Sequence, residues 1–294
     1  MDPAHLHSAL MLFARDRLEP RLPEQVRDSD DAPRLRALEA LFVEEERAAV
    51  QPLARRAPRD ADAFVRWFEA LRDTGPGQGD PLFPWLAGSA TLAQMRWFLA
   101  QEVAGEAGFD DLVALTQIKM PVQAKLELAR NYWDEMGRGR AAAMHGPLLS
   151  DLARAMDVRA DPDETVWESL ALANLMVALA LDRRYAYHSI GALGAIELTA
   201  PGRVAQVDRG LARLGIPRAA RRYFTLHATL DLKHSEAWNR EVLYPLVAQE
   251  PGAAQAIAEG ALMRLRAGER CFERYRRELG LDPTELAENV ALGP

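Results

Sequence analysis

The sequence predicts an all-α protein built as a helical bundle. Residues with high helix propensity dominate the chain, and the alternating β-branched runs that are typical of strands do not occur. In most segments the apolar residues recur in steps of three and four, as on the buried face of a helix. Clusters of glycine and proline separate these segments. No period of about 20–50 residues suggests a solenoid.

The composition is that of an ordinary soluble globular protein, with 49% hydrophobic and 27% charged residues. A net charge of −7 and the lack of a basic cluster argue against nucleic acid as a partner. The single cysteine, Cys271, excludes an internal disulfide, and no signal-peptide pattern is seen, so we expect a cytoplasmic protein. No apolar run reaches about 18 residues, so we expect no membrane span.

The clearest break in the chain is the run Thr-Gly-Pro-Gly-Gln-Gly-Asp-Pro at 74–81. We interpret it as a loop between an N-terminal helical portion (1–79) and the bundle on which that portion packs (80–294). Amphipathic patterns before the break predict helices over 4–18, 33–56 and 60–72.

The first bundle helix is predicted to start at Thr91 with a capping-box pattern and to run as far as Val113. Two carboxylates, Glu102 and Glu106, interrupt its apolar stripe. A second helix is predicted from Pro121 to Glu135, and a third segment over 141–156 contains His145.

A long apolar helix is predicted from Val166 to about Leu198, with Pro201 as its stop. It contains Glu197, and its small residues, among them Gly191, would let neighbouring backbones approach closely. A short helix up to about 214 and a last, arginine-rich helix over 252–280 are also predicted.

The most informative stretch lies over 218–244, which no glycine or proline interrupts and which predicts one long helix. At about 100° per residue, Asp231 lies roughly 40° round from His227, and His234 roughly 20° to the other side. These three side chains therefore share a stripe that a core-facing helix normally fills with leucine or isoleucine. Burying them costs several kcal/mol unless something compensates, which indicates a bound metal.

The other candidates are Glu102 (with Glu106 as an alternative), Glu135, His145 and Glu197. Carboxylates and imidazoles that converge from several helices are what a dinuclear iron or manganese centre in a bundle requires. The alternative is a satisfied buried polar network that fixes the helix register. His5 and His7 lie at a terminus, where disorder is common.

We treat His188 as structural and Cys271 as a packing residue. Arg138 and Arg140, beside Glu135, could anchor a substrate carboxylate, but a solvated surface is the simpler interpretation.

The series formed by Glu135, His145, Glu197 and His227-x₃-Asp231-x₂-His234 resembles the ligand series of the iron-containing redox enzymes. These are haem-oxygenase-like diiron oxidases and oxygenases. The stretch over 80–102 is similar to the start of the first core helix in that family. The resemblance covers about residues 80–250.

The resemblance implies a haem-oxygenase-like bundle with an additional N-terminal helical portion. It implies an O₂-dependent enzyme with two iron ions per chain, Fe(II)/Fe(III), and O₂ as co-substrate. The substrate would be a small organic molecule, and the reaction either oxidative C–C cleavage of a fatty or amino acid or N-oxygenation. The implied iron ligands are Glu102, Glu135, His145, Glu197, His227, Asp231 and His234. The oligomeric state stays open, with a homodimer as one option.

Two other functions are kept as alternatives. The same fold also hosts proteins without diiron chemistry, which bind haem or degrade thiamin. A haem protein would need an N-terminal histidine, for which His5 and His7 are available, and a thiamin-degrading enzyme would need a cysteine in the core, for which Cys271 looks poorly placed. The second alternative is a non-enzymatic helical interaction protein.

Overall fold

The structure is a computed structural model that describes residues 2–25, 31–159, 161 and 163–281. Over these residues the chain is all-α and contains no β-strand. The helices are α1 (Pro3–Leu18), α2 (Ala32–Ala54), α3 (Ala61–Thr74), α4 (Leu82–Gly88), α5 (Leu92–Gly105), α6 (Phe109–Thr116), α7 (Val122–Glu135), α8 (His145–Ala155), α9 (Trp167–Leu181), α10 (Ala186–Arg213), α11 (Arg222–Trp238), α12 (Tyr244–Gln249) and α13 (Ala253–Glu278). In this part of the chain, no helix is both long enough and apolar enough to cross a membrane.

Helix α10 lies at the centre of the bundle and packs most extensively against α13 and α11. Small residues make the crossing with α13 close. A Cβ atom at Gly191 would collide with the carbonyl oxygen of Ile257, and one at Gly260 would collide with that of His188. The close backbone approach expected around Gly191 is therefore present, and its partner is the last helix.

Helices α1 and α2 cover α9 and α13, and a large apolar cluster runs through the N-terminal helices and the bundle. A second apolar cluster lies mainly between α4, α5, α10 and α13. His7 is buried, and its ring stacks on Trp167 at 5.6 Å between centroids. The side-chain amide of Asn174 donates to the carbonyl oxygen of His7 at 2.9 Å. The expectation that His7 belongs to a disordered terminus is therefore wrong, because α1 packs on α9.

The helix predicted from Thr91 to Val113 is in fact two helices, α5 and α6. Gly108 between them adopts a left-handed conformation, with φ of 73°. The carboxylate of Glu106 accepts hydrogen bonds from the backbone N–H groups of Gly108 and Phe109, at 3.1 and 3.2 Å. Glu106 thus caps the start of α6, which explains why the chain turns here.

Two further boundaries differ from the sequence-based expectation. The predicted helix over 166–198 is broken at Asp182, whose side chain caps the turn Arg183–Tyr185. The following helix, α10, continues through Pro201 to Arg213. The prediction that Pro201 stops the helix is wrong. Buried residues of α10 before and after Pro201 pack against neighbouring helices, and this packing outweighs the backbone hydrogen bond that proline cannot donate. The uninterrupted helix expected over 218–244 forms as α11, a π-helical turn and the start of α12.

A buried carboxylate, Glu259 on α13, ties α2 to the bundle. It accepts hydrogen bonds from Arg47 Nε and Gln255 Nε2, each at 2.8 Å, and from His188 Nε2 at 3.0 Å. Burial by itself would raise the pKa of Glu259, but the three donors outweigh it and lower the pKa to about 2. The assignment of His188 to a structural role agrees with this contact.

We expect Glu259→Gln to destabilise the protein by about 3 kcal/mol at pH 7. Because the folded-state pKa lies below the unfolded value, this contribution is present above about pH 4.5 and is lost as the pH falls toward 2. Urea unfolding of both proteins at pH 7 and pH 3 measures the difference, which should shrink at pH 3. Glu273→Gln, at an exposed position of the same helix, is the control. A difference that does not change with pH would contradict the assignment.

Candidate metal centre

Two groups of three ligands meet in the bundle, and Glu135 belongs to both. In the first group, one ligand atom each from Glu135, His145 and His227 lie within 4.8 Å of one another. In the second group, the same holds for Glu135, Glu197 and His234. Helices α7, α8, α10 and α11 each contribute at least one of these side chains. Every one of them is buried except His227, which is half-buried.

The first group is positioned by the end of α7 and the beginning of α8. Glu135 is the last residue of α7, and His145 is the first residue of α8. Between them, Gly137 has a φ of 60°, and a Cβ atom there would meet the backbone of Ala143 and Met144. The glycine therefore permits the tight connection that brings His145 Nδ1 against Glu135 Oε2.

His227 lies on α11 with its ring 4.4 Å from that of His145. Its Nδ1 atom lies 2.7 Å from the carbonyl oxygen of Tyr223, one turn earlier. An N–H at Nδ1 that donates to this carbonyl leaves Nε2 as the nitrogen with a free lone pair. Burial lowers the pKa of both His145 and His227 to about 4, so both rings are neutral, as metal binding requires.

In the second group, hydrogen bonds with neighbouring side chains hold Glu197 and His234 in place. Asn131 Nδ2 donates to Glu197 Oε1 at 2.6 Å, and His234 Nε2 lies 3.2 Å from Asp134 Oδ2. His234 Nδ1 then faces Glu197 at 3.5 Å. Burial lowers the pKa of His234, but its contacts with Glu197 and Asp134 outweigh this and raise the pKa to about 9.

Asp231 lies outside both groups, but it lines a cavity that Glu135, Glu197 and His227 also line. Its Oδ1 atom is buried and has no hydrogen-bond partner among the described residues. Burial, followed by repulsion from Glu197 and Glu135, raises the pKa of Asp231 to about 10. Burial and Glu197 also raise the pKa of Glu135 well above its usual range.

The site therefore holds more buried acid than its surroundings neutralise. In addition to Asp231 Oδ1, His145 Nε2 is buried without a hydrogen bond among the described residues, while His145 Nδ1 and His234 Nδ1 face only the carboxylates of Glu135 and Glu197. Unsatisfied buried atoms of this kind are costly, and a divalent cation would satisfy them together. Mixed carboxylate and imidazole ligands suit iron or manganese. The side chains present thus fit a metal centre.

The remaining two candidates lie away from the ligand groups. Glu102, on α5, lines the cavity and accepts a hydrogen bond from the hydroxyl of Tyr275 at 3.2 Å. Glu106 also lines the cavity, but its carboxylate caps α6. Neither belongs to a three-ligand group, so the assignment of Glu102 as a seventh ligand stays a prediction.

The cavity extends from the ligand groups between α5, α9, α10 and α13, and its walls are mainly apolar. The space available to the centre of a water molecule is about 170 Å³. An engineered cavity of about 150 Å³ accommodates benzene, so this one has room for a small organic molecule. Phe98, Leu172 and Met176 are among its apolar walls.

Cys271 is not only a packing residue, since it lines the cavity. Burial, followed by the nearby Glu102, raises the pKa of its thiol to about 12, so the thiol is protonated and a poor nucleophile. Arg138 and Arg140 are exposed, and Arg138 Nε donates to Asp134 Oδ1 at 2.6 Å. Neither arginine lines the cavity, which agrees with their interpretation as surface residues.

The residues that support the ligands were not among those predicted from the sequence. Asn131 lies one turn before Glu135 on the same face of α7, and Asp134 is adjacent to Glu135. An asparagine at a buried helix position next to a candidate ligand is a usable signal. Tyr223 contacts His227 through its backbone carbonyl, which every residue type offers, and through its ring, whose centroid lies 4.3 Å from that of His227.

Comparison with solved structures identifies the fold. The chain is similar to two structures of a CADD-like protein of unknown function from Nostoc punctiforme PCC 73102. Sequence identity is 18% and 19%, TM-scores are 0.59 and 0.55, and the matches cover 74% of this chain and 97% and 95% of that one. A domain of unknown function with a haem-oxygenase-like fold from Shewanella denitrificans OS217 matches with 13% identity and a TM-score of 0.51, over 74% of this chain and 90% of that one. The fold is therefore haem-oxygenase-like.

The sequence itself is matched by a family as well. The sequence model of the family described as iron-containing redox enzyme matches residues 96–269, which include every ligand of both groups. The comparison with curated proteins gives no match. Because the matched segment spans more than half of the chain, this protein belongs to the iron-containing redox enzyme family.

Proposed function

We propose that this protein is a non-haem diiron oxidase or oxygenase that uses O₂ to oxidise a small organic molecule. The observation that carries the proposal is that Glu135 belongs to both ligand groups. A carboxylate has two oxygens and can serve two cations at once. Two groups of three that share one carboxylate are suited to a pair of ions, which is typical of dinuclear carboxylate centres in helical bundles.

Each ion would be held by residues of this chain that already face one another. Glu135, His145 and His227 would hold one, and Glu135, Glu197 and His234 the other. Asp231 is a further carboxylate within reach of the same space. Bound iron would supply O₂ binding and the redox equivalents for the oxidation.

The other residues of the site position these ligands and would exclude water from the substrate. The carbonyl of Tyr223 fixes the tautomer of His227, and Asn131 orients Glu197. Asp134 accepts from His234 Nε2 and so directs Nδ1 toward the site. The apolar walls of the cavity would exclude water from a reactive centre. Oxidative C–C cleavage and N-oxygenation of an amino-acid-like or fatty-acid-like substrate both remain compatible with this arrangement.

The test is anaerobic equilibrium dialysis of the metal-free protein against ferrous iron, followed by exposure to O₂. We expect two iron ions per chain and a transient visible absorption after O₂ is added. Glu168→Gln changes a buried glutamate outside the cavity, so it is the matched control and should bind iron as the unmodified protein does. Failure to take up iron, or uptake of one ion with no optical change in O₂, would contradict the proposal.

A further inference from the structure

Two arginines line the cavity away from the ligand groups. Arg203 lies on α10 and Arg264 on α13. Glu197 and Arg203 are six residues apart on α10, which separates them by about 9 Å along the helix axis. The cavity thus has an acidic, metal-binding end and a second end that carries two guanidinium groups.

Arg264 occupies a position that apolar or small residues normally fill. The buried stripe of α13 includes Ile257, Ala261, Gly268, Cys271 and Tyr275, and Arg264, which is half-buried, lies in line between Ala261 and Gly268. Arg264 makes no hydrogen bond with any described residue, and no described carboxylate oxygen lies within 4 Å of its nitrogens. A half-buried guanidinium that lines a cavity and has no partner is costly, so its presence calls for a ligand.

Arg203 lines the same cavity as Arg264, and contacts with neighbouring side chains hold it in place. Its side chain donates to Thr199 Oγ1 at 2.8 Å, and its guanidinium lies 5.4 Å from the ring centre of Phe272 and 5.9 Å from that of Phe83. These contacts fix the side chain without neutralising its charge. Burial, followed by repulsion from Arg264, lowers the pKa of Arg203 to about 9, which still leaves it charged at neutral pH.

The nearest acid does not satisfy these charges. Glu102 attracts both arginines across the cavity but contacts neither within 4 Å, and it accepts from the hydroxyl of Tyr275 instead. Glu106 is occupied by the backbone of α6. The arginine pair is therefore free to receive an anion from a bound molecule, and a planar carboxylate suits the guanidinium fork.

We propose that Arg203 and Arg264 bind the carboxylate of the substrate, so that the substrate is an organic acid with an apolar body whose oxidisable end reaches the Glu135 site. The apolar walls between the two ends fit a hydrocarbon chain or ring. An acid of this kind binds with its carboxylate remote from the metal ligands, and the atom that reacts lies several bonds from that carboxylate. The oxidation of this acid rests on the proposed function. The binding of its carboxylate by the two arginines does not depend on it.

The test measures binding of octanoate and of octan-1-ol to the metal-free protein by calorimetry and by the shift in melting temperature. We expect octanoate to bind more tightly than the alcohol of equal chain length. Arg264→Gln and Arg203→Gln should each weaken octanoate binding roughly ten- to hundredfold and leave the alcohol unaffected. Arg209→Gln removes an exposed arginine from α10 and is the matched control, which should bind both compounds as the unmodified protein does.

Equal affinity for acid and alcohol, or an unchanged preference for the acid in Arg264→Gln, would overturn the inference. Arg264→Lys keeps the charge but not the planar fork, so it should weaken octanoate binding severalfold, and an unchanged affinity in this variant would also count against the anchor. Iron uptake separates the two proposals. If the protein prefers octanoate but takes up no iron, the arginine site is supported and the diiron assignment is refuted. If it takes up iron but shows no preference for octanoate, the diiron assignment is supported and the arginine site is refuted.

Discussion

Glu135→Gln is expected to abolish the binding of both iron ions, because the one side chain belongs to both ligand groups. Each ion would lose its shared negative ligand, and we expect iron affinity to fall by more than about a hundredfold. His227→Ala and His234→Ala each remove a ligand from only one group, so each should retain one ion more readily than Glu135→Gln does. Iron analysis after anaerobic dialysis measures all three.

The same substitution should leave the metal-free protein at least as stable as before. Burial and the neighbouring Glu197 raise the pKa of Glu135, so the folded protein disfavours the carboxylate charge that the unfolded chain carries at neutral pH. Glutamine carries no charge and removes that cost. Ferrous iron should raise the melting temperature of the unmodified protein but not of the variant. A variant that binds two ions normally would refute the shared role of Glu135.

Gly260→Ala is expected to destabilise the protein by about 3 kcal/mol or more. The added methyl group would overlap the backbone of His188 where α13 crosses α10, and a backbone carbonyl cannot move aside as a flexible side chain does. Thermal and urea unfolding of the metal-free protein measure the effect.

Gly202→Ala provides the control for this substitution. Gly202 also lies in α10, but a Cβ atom there would have no heavy atom within 4 Å. Alanine should therefore be neutral or stabilise by about 0.5–1 kcal/mol, since it favours the helix. Equal stability changes at the two positions would show that the α10–α13 crossing is less close than the structure indicates.

The sequence alone predicted the fold class, because helical periodicity is a local property. The apolar stripes and the capping box at Thr91 predict helices whatever lies opposite them. The ligand candidates were visible for the same reason, since Asp231 and His234 occupy buried positions of α11 where apolar residues are expected. The resemblance to the iron-containing redox enzymes is confirmed by the family match.

Helix ends were predicted less well, because they depend on tertiary contacts. Pro201 does not end α10, since packing against neighbouring helices compensates for its missing N–H group. The carboxylate of Glu106 ends one helix and starts the next through hydrogen bonds that no periodicity reveals.

What the chain determined by itself was therefore its helices and the chemical types of its buried polar residues. Only the tertiary structure decided which of them meet. Glu135 becomes common to two groups because α8, α10 and α11 converge on the end of α7. Arg203 and Arg264 share a cavity because α10 and α13 cross closely enough to bring them to the same space. Convergence of this kind depends on distances between helices, and the spacing of residues along one helix does not contain those distances.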